Sequence, residues 1–270
     1  MMKARQTESK QQECGMSEVV VALDGGVLTV TMARPDKKNA ITNAMYGAMA
    51  DALERAEGDS AIRAVLLQGD GDSFTAGNDL ADFAAVSRGV QGERHVTRFL
   101  AALAKATRPL VAAVQGNAVG IGTTMLLHCD LVYLAPTARL ITPFVNLALV
   151  PEAASTYLLP QRIGYARAYA MFALGEPVEA ETAVSIGLAN AVVPLAELRA
   201  KARAAADALA KRPFGSLQHT KALMRDPARI SAQMAREGEI FQERLMSAEA
   251  REAFAAFAER RQPDFSKIAG

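Results

Sequence analysis

Four short segments concentrate the residue types that can do chemistry. The first, 34–40, reads Arg-Pro-Asp-Lys-Lys-Asn-Ala, a proline turn carrying Lys37 and Lys38. Two lysines on such a turn make a basic lip suited to phosphates. The second, 73–80, reads Ser-Phe-Thr-Ala-Gly-Asn-Asp-Leu. It follows a buried-strand pattern and opens a helix, where backbone N–H groups are unpaired and point outward. Such amides can hold a polarised carbonyl or a developing oxyanion. The small Ala76 and Gly77 let a ligand approach the backbone closely. The third, 112–122, again runs strand, glycine turn, helix, with Gly116, Gly120 and Gly122. Its order G-x-x-x-G-x-G is not that of a dinucleotide fingerprint, and no βαβ unit opens the chain. The fourth, 142–154, sets Glu152 after an apolar stretch at the first turn of a helix, where the dipole favours a carboxylate. Taken singly, each segment reads first as an ordinary turn, cap or helix start.

The elements that must position these segments follow from pattern. Two β-branched runs, 19–23 and 27–32, flank Asp24-Gly25-Gly26 and predict a hairpin. Thr42 is the N-cap of a helix to about residue 57, with Met45, Met49 and Leu53 on one face and Gly58 as its stop. Buried strands are expected over 62–68 and 110–114, and short ones over 131–134 and 139–142. Residues 94–105 read as a helix with Val96, Phe99, Leu100 and Leu103 inside. From Ala153 the pattern turns helical and alanine-rich almost to the end. The first half thus alternates strands and helices, and the last third is helical, which predicts a layered α/β core followed by a helical module. The division expected is a flexible tail over 1–17, a core over 18–195 and a C-terminal helical module over 196–270.

The bulk numbers narrow the class. The chain has 270 residues, 50% of them apolar and 22% charged, the balance of a globular protein. A formal net charge of +1 gives no general attraction to nucleic acid or to anionic membranes. The two cysteines, Cys14 and Cys129, fit neither a metal spacing nor a disulfide framework, so a cytoplasmic protein with reduced thiols is expected. No apolar run reaches a membrane span, and the polar leader lacks the apolar core of a secretory signal. His95, His128 and His219 form no triad pattern or zinc motif, so nucleophilic and metal chemistry lack support.

Together, in order and spacing, the four segments resemble the enoyl-CoA hydratase/isomerase (crotonase) family from about residue 19 to 265. The 73–80 segment and the stretch Val114-Gln115-Gly116-Asn117-Ala118-Val119-Gly120 are specific as a pair. The resemblance implies an α/β fold, a spiral of ββα units with a C-terminal helical trimerisation module. It implies an acyl-CoA substrate, assembly as a homotrimer or dimer of trimers, and no cofactor beyond the coenzyme A of the substrate. No metal is implied. Two peptide N–H groups that bind the thioester carbonyl map to Asn78 and Ile121. The 3′-phospho-ADP end is placed near Lys37 and Lys38, with Ala76, Gly77, Asp79, Leu80, Gly120 and Phe144 around the ligand. A basic tail, 260–267, is a further nucleotide contact.

The chain departs from the hydratases of that family, whose two glutamates fall here at Thr124 and Phe144. Neither exchanges a proton near neutral pH. It is closest to the Δ3,Δ2-enoyl-CoA isomerases of the peroxisomal type, through Thr142-Pro143-Phe144, then Pro151-Glu152, then Ser155-Thr156-Tyr157. Under that resemblance Glu152 is the catalytic base. Other outcomes stay open: hydration or ring-type isomerisation on the same scaffold, and a non-catalytic protein binding RNA or CoA esters.

Overall fold

The computed structural model describes residues 17–79 and 94–268. The expected tail apart from Ser17, Cys14, and the proposed ligand contact Leu80 lie outside these residues. Strands β1 (Val19–Asp24) and β2 (Val27–Met32) pair antiparallel with Asp24 opposite Val27. The turn between them needs positive φ at both central residues, and Gly25 (55°) and Gly26 (81°) supply it. Helix α1 (Asn43–Gly58) starts where the Thr42 hydroxyl accepts the Met45 N–H at 3.2 Å. Strand β3 (Ala64–Gly69), helix α2 (His95–Lys105) and strand β4 (Leu110–Val114) follow.

The chain then passes through β5 (Asn117–Val119), the short helix α3 (Ile121–Thr124), β6 (Leu131–Leu134) and β7 (Arg139–Ile141). Beyond residue 150 come α4 (Ser155–Ile163), α5 (Tyr165–Leu174), β8 (Val178–Glu179), α6 (Ala180–Ser185) and β9 (Ala191–Val192). Four helices end the fold: α7 (Leu195–Ala210), α8 (Phe214–Met224), α9 (Pro227–Leu245) and α10 (Ala248–Ala258).

The large sheet runs β1-β2-β3-β4-β6-β9, parallel except for the first hairpin. Its period-2 alternation divides the side chains between two faces. Leu28, Val30, Val65, Leu67, Ala112 and Val114 meet Met45, Met49 and Leu53 of α1 and Phe99 and Leu103 of α2. Val27, Ala64, Leu66, Val111 and Ala113 face α7 through Leu198, Ala202 and Ala206. The alanine stripe of α7 therefore seats a helix closely on the sheet, so the first helix expected in the C-terminal module covers the core. A smaller sheet, β5-β7-β8, stands beside it.

Three details correct the sequence reading. Glu152 is not in the first turn of a helix, because α4 begins only at Ser155 after two residues of positive φ, Ala153 and Ala154. The region after Ala153 is not wholly helical, because β8 pairs with β7 and β9 extends the large sheet beyond β6. Strands of two residues carry no readable alternation. The helix expected after the glycine turn is only α3, and Met125–His128 continues as a 3-10 turn.

Candidate active site

The site begins with a strap, 75–79, sewn into the backbone on both sides. Thr75 donates its N–H to Asn117 O at 3.0 Å and accepts that of Val119 at 3.0 Å. Its hydroxyl donates to Asn39 O at 2.6 Å and accepts the Gly77 N–H at 3.0 Å. Gly77 O accepts from Ile41 N at 2.8 Å, and Asp79 N donates to Ile41 O at 3.0 Å. Every strap amide from Thr75 to Asp79 except that of Asn78 is thereby taken, since Ala76 N donates to Lys38 O at 2.8 Å. Across from it, Gly120 turns the chain at φ 55° and ψ −116°, a conformation open to glycine, and Ile121 is the first residue of α3. A first helical residue has no intrahelical acceptor for its N–H. Among the described residues no carbonyl accepts the Asn78 or Ile121 amide.

Asn78 and Gly120 line one cavity of about 320 Å³, together with Ala76, Gly77, Val119, Phe144 and Leu149. Its other wall comes from the C-terminal helices and the residues after them: Phe241, Ala253, Phe257, Arg261 and Pro263. Phe144 packs edge-on against Phe172 with ring centroids 6.5 Å apart. Thr124, like Phe144 in a hydratase glutamate position, is buried, and its hydroxyl has no hydrogen-bond partner among the described residues.

Glu152 is 8% exposed, and its Oε1 is buried with no hydrogen-bond partner among the described residues. It does not itself line the cavity. Burial, and then the neighbouring charge of Glu237, pushes its carboxyl up to about 8. Tyr46 of α1 connects the two parts of the site: its hydroxyl donates to Asn78 Oδ1 at 2.5 Å. Burial and the adjacent Glu152 push the Tyr46 phenol well above its usual range.

The backbone beyond Glu152 is held tightly. Ala153 and Ala154 both have positive φ, 62° and 54°. Each such non-glycine residue costs roughly 1–3 kcal/mol and persists only where its surroundings over-determine it. His128 Nε2 donates to Ala153 O at 2.8 Å, while Arg225 Nη2 donates to His128 Nδ1 at 2.9 Å, so the ring is neutral. Burial, then the Arg225 charge, lowers His128 from 6.5 to about 3. A base lowered on folding contributes stability that is full above 6.5 and lost as pH falls toward 3. Acid melts of His128→Gln should therefore lose less stability between pH 6.5 and 3 than the parent, measured by thermal denaturation across that window. An equal slope would remove His128 from the acid response.

Lys37, Lys38, Asp79 and Ile121 are not among the residues that line the cavity. Lys37 and Lys38 are exposed on the 3-10 turn Pro35–Lys37 and just after it. Asp79 binds Arg34 Nη1 at 2.7 Å, and Arg34 also pairs with Glu18 at 2.9 Å. Sequence reasoning missed Tyr46, Glu237 and the apolar wall from Phe241 and Phe257. Tyr46 lies beside the apolar face of α1, which is its one local signal. Glu237 is one of several glutamates on a polar helix and carries none.

The sequence and the fold both match known proteins. A family profile described as "Enoyl-CoA hydratase/isomerase" matches residues 23–268. The 1,2-epoxyphenylacetyl-CoA isomerase of Escherichia coli is 33% identical over 93% of this chain and 99% of its own length. Enoyl-CoA delta isomerase 2 of Rattus norvegicus is 35% identical over 77% of this chain and 54% of its own. The crystal structure of an enoyl-CoA hydratase/isomerase from Pseudoalteromonas atlantica is 44% identical, covering 92% of this chain and 100% of its own, with a TM-score of 0.88. The chain belongs to the enoyl-CoA hydratase/isomerase family, with its crotonase fold, and is an acyl-CoA enzyme of that family. Relatives named as hydratases match at similar identity. Among the described residues, no helix is long and apolar enough to cross a membrane, and no three His, Cys, Asp or Glu side chains gather as metal ligands.

Proposed function

We propose that the enzyme moves a double bond in an enoyl-CoA from C3–C4 to C2–C3, with Glu152 as the single proton shuttle. One observation carries this reading. Glu152 Oε1 is the one carboxylate oxygen, among the described residues, that is buried without a donor. A carboxyl so placed, with a pKa of about 8, is a poised base. The Asn78 and Ile121 amides would receive the thioester oxygen as C2 loses its proton, stabilising the enolate. Glu152 then returns that proton to C4, and the electron pair settles between C2 and C3. A shuttle between two carbons on one face needs one carboxylate. Hydration must activate water and protonate carbon, and Thr124 and Phe144 stand where its glutamates would be.

The same reading assigns Lys37 and Lys38 to the 3′-phosphate of coenzyme A and expects a homotrimer or dimer of trimers in the cytoplasm. Hydration of a 2-enoyl-CoA is the second reading, favoured by the relatives named as hydratases. The test is a panel of 3-enoyl, 2-enoyl and ring-derived CoA thioesters with the parent enzyme. Turnover of the 3-enoyl ester at least tenfold faster than the others is expected. Hydration of the 2-enoyl ester as the dominant reaction would overturn the assignment.

A further inference from the structure

We propose that Glu237, on the C-terminal helix α9, is a positioning residue for Glu152: its carboxylate binds the backbone on which Glu152 stands and sets the charge that Glu152 faces. The inference rests on Glu152 being the working carboxylate. Glu237 is only 4% exposed. Its Oε2 accepts the Ala154 N–H at 2.6 Å, and its Oε1 accepts the Thr156 N–H at 3.0 Å. The Thr156 hydroxyl also donates to Oε1 and itself accepts from Gln233 Nε2 at 2.8 Å. Helix α4 has Ala154 at its N-cap, with no side-chain cap of its own, so Glu237 supplies one from 81 to 83 residues away. A carboxylate at a helix N-terminus is also favoured by the dipole.

Two left-handed alanines separate Glu152 from that helix. They are fixed at one carbonyl by His128 and at the next amide by Glu237. Without the second tie the strained pair can relax, and Glu152 moves with it.

The two carboxyls divide their duties by their donors. Three donors converge on Glu237, and none meets Glu152 Oε1. Burial pushes both up, but the donors draw Glu237 back toward its charged form. The first proton of the pair therefore goes to Glu152 rather than to Glu237. The groups facing Glu152 are Tyr46 from α1 and Glu237 from α9, with the neutral His128 ring behind the next carbonyl. Glu237 is too fully engaged to shuttle a proton itself.

The test is a carboxyl-carbon NMR titration of substrate-free protein labelled in glutamate, with Glu152 assigned from its missing signal in Glu152→Gln. In Glu237→Gln the Glu152 titration should move down by on the order of one unit, because a like charge is gone. In Thr156→Val, which keeps both carboxyls but removes a donor from Glu237, Glu152 should move in the same direction by less. With a 3-enoyl-CoA, Glu237→Gln should lower the plateau kcat by about tenfold or more at unchanged KM. An unmoved Glu152 titration in both variants overturns the inference. A moved titration in a protein that turns over no 3-enoyl-CoA upholds it and overturns the isomerase assignment alone.

Discussion

In Glu152→Gln, kcat for a 3-enoyl-CoA should fall by about three orders of magnitude or more, while the Kd for a CoA ester changes by less than about threefold. General-base catalysis is worth roughly 10²–10⁴-fold, and among the described residues no other carboxylate oxygen is buried without a partner. The substitution is close in shape, and Oε1 has no donor to lose, so the fold should survive it. The parent enzyme adds a pH signature. Its base works only when ionised, so kcat should climb with pH and level off above about 8. Stability should respond in the opposite sense. A carboxyl raised from 4.5 to about 8 on folding contributes stability that is full below 4.5 and lost as pH rises through 8. Glu152→Gln escapes that loss, so its melting temperature should exceed the parent's by more at pH 9 than at pH 5. Parent-like turnover in the variant would remove Glu152 from the chemistry.

The second large effect is expected at Gly77. Its φ is 87°, and an added Cβ would lie 2.8 Å from the Val119 carbonyl oxygen. That atom is backbone and cannot swing aside, so the strap and the β5 end must part. The Asn78 amide moves with the strap, and Gly120 follows Val119. Losing one oxyanion donor costs about 10²–10³ in kcat, and Gly77→Ala should lose at least that much. It should also destabilise the fold by roughly 1–3 kcal/mol, from the disfavoured backbone and the forced gap. Steady-state kinetics and a denaturant melt on one preparation check both. A variant with parent kcat would show that the strap does not place a working amide.

These two residues also show how far sequence could reach. Gly77 was legible as a tight turn because glycines leave a local mark, and its φ is 87°, whereas the helix expected to open at 80 lies outside the described residues. The hairpin at Gly25-Gly26 and the Thr42 cap were legible for the same reason, and the structure has both. Lys37 and Lys38 were equally visible, yet they sit outside the cavity lining, since charge on a turn says nothing of where the turn points. Glu237 and Tyr46 were not legible. Their partners are the backbone at Ala154 and Thr156 and the side chain of Asn78, and only the folded chain brings these together. Likewise β8 and β9 are recruited by neighbours already in place, not by any pattern of their own.

The cavity has walls of different age on the ribosome. The amide-bearing floor, from Ala76 to Leu149, is made early, whereas Phe241, Phe257 and Arg261 emerge near the end. At ordinary elongation rates the interval from Leu149 to Arg261 lasts on the order of ten seconds. During that time the sheet can assemble, but the apolar floor faces solvent without its cover. A chain stalled before α9 would also lack the carboxylate that fixes the turn after Glu152. Completion of the enzyme is thus coupled to completion of its translation, and truncated products are left with an open, unpositioned pocket.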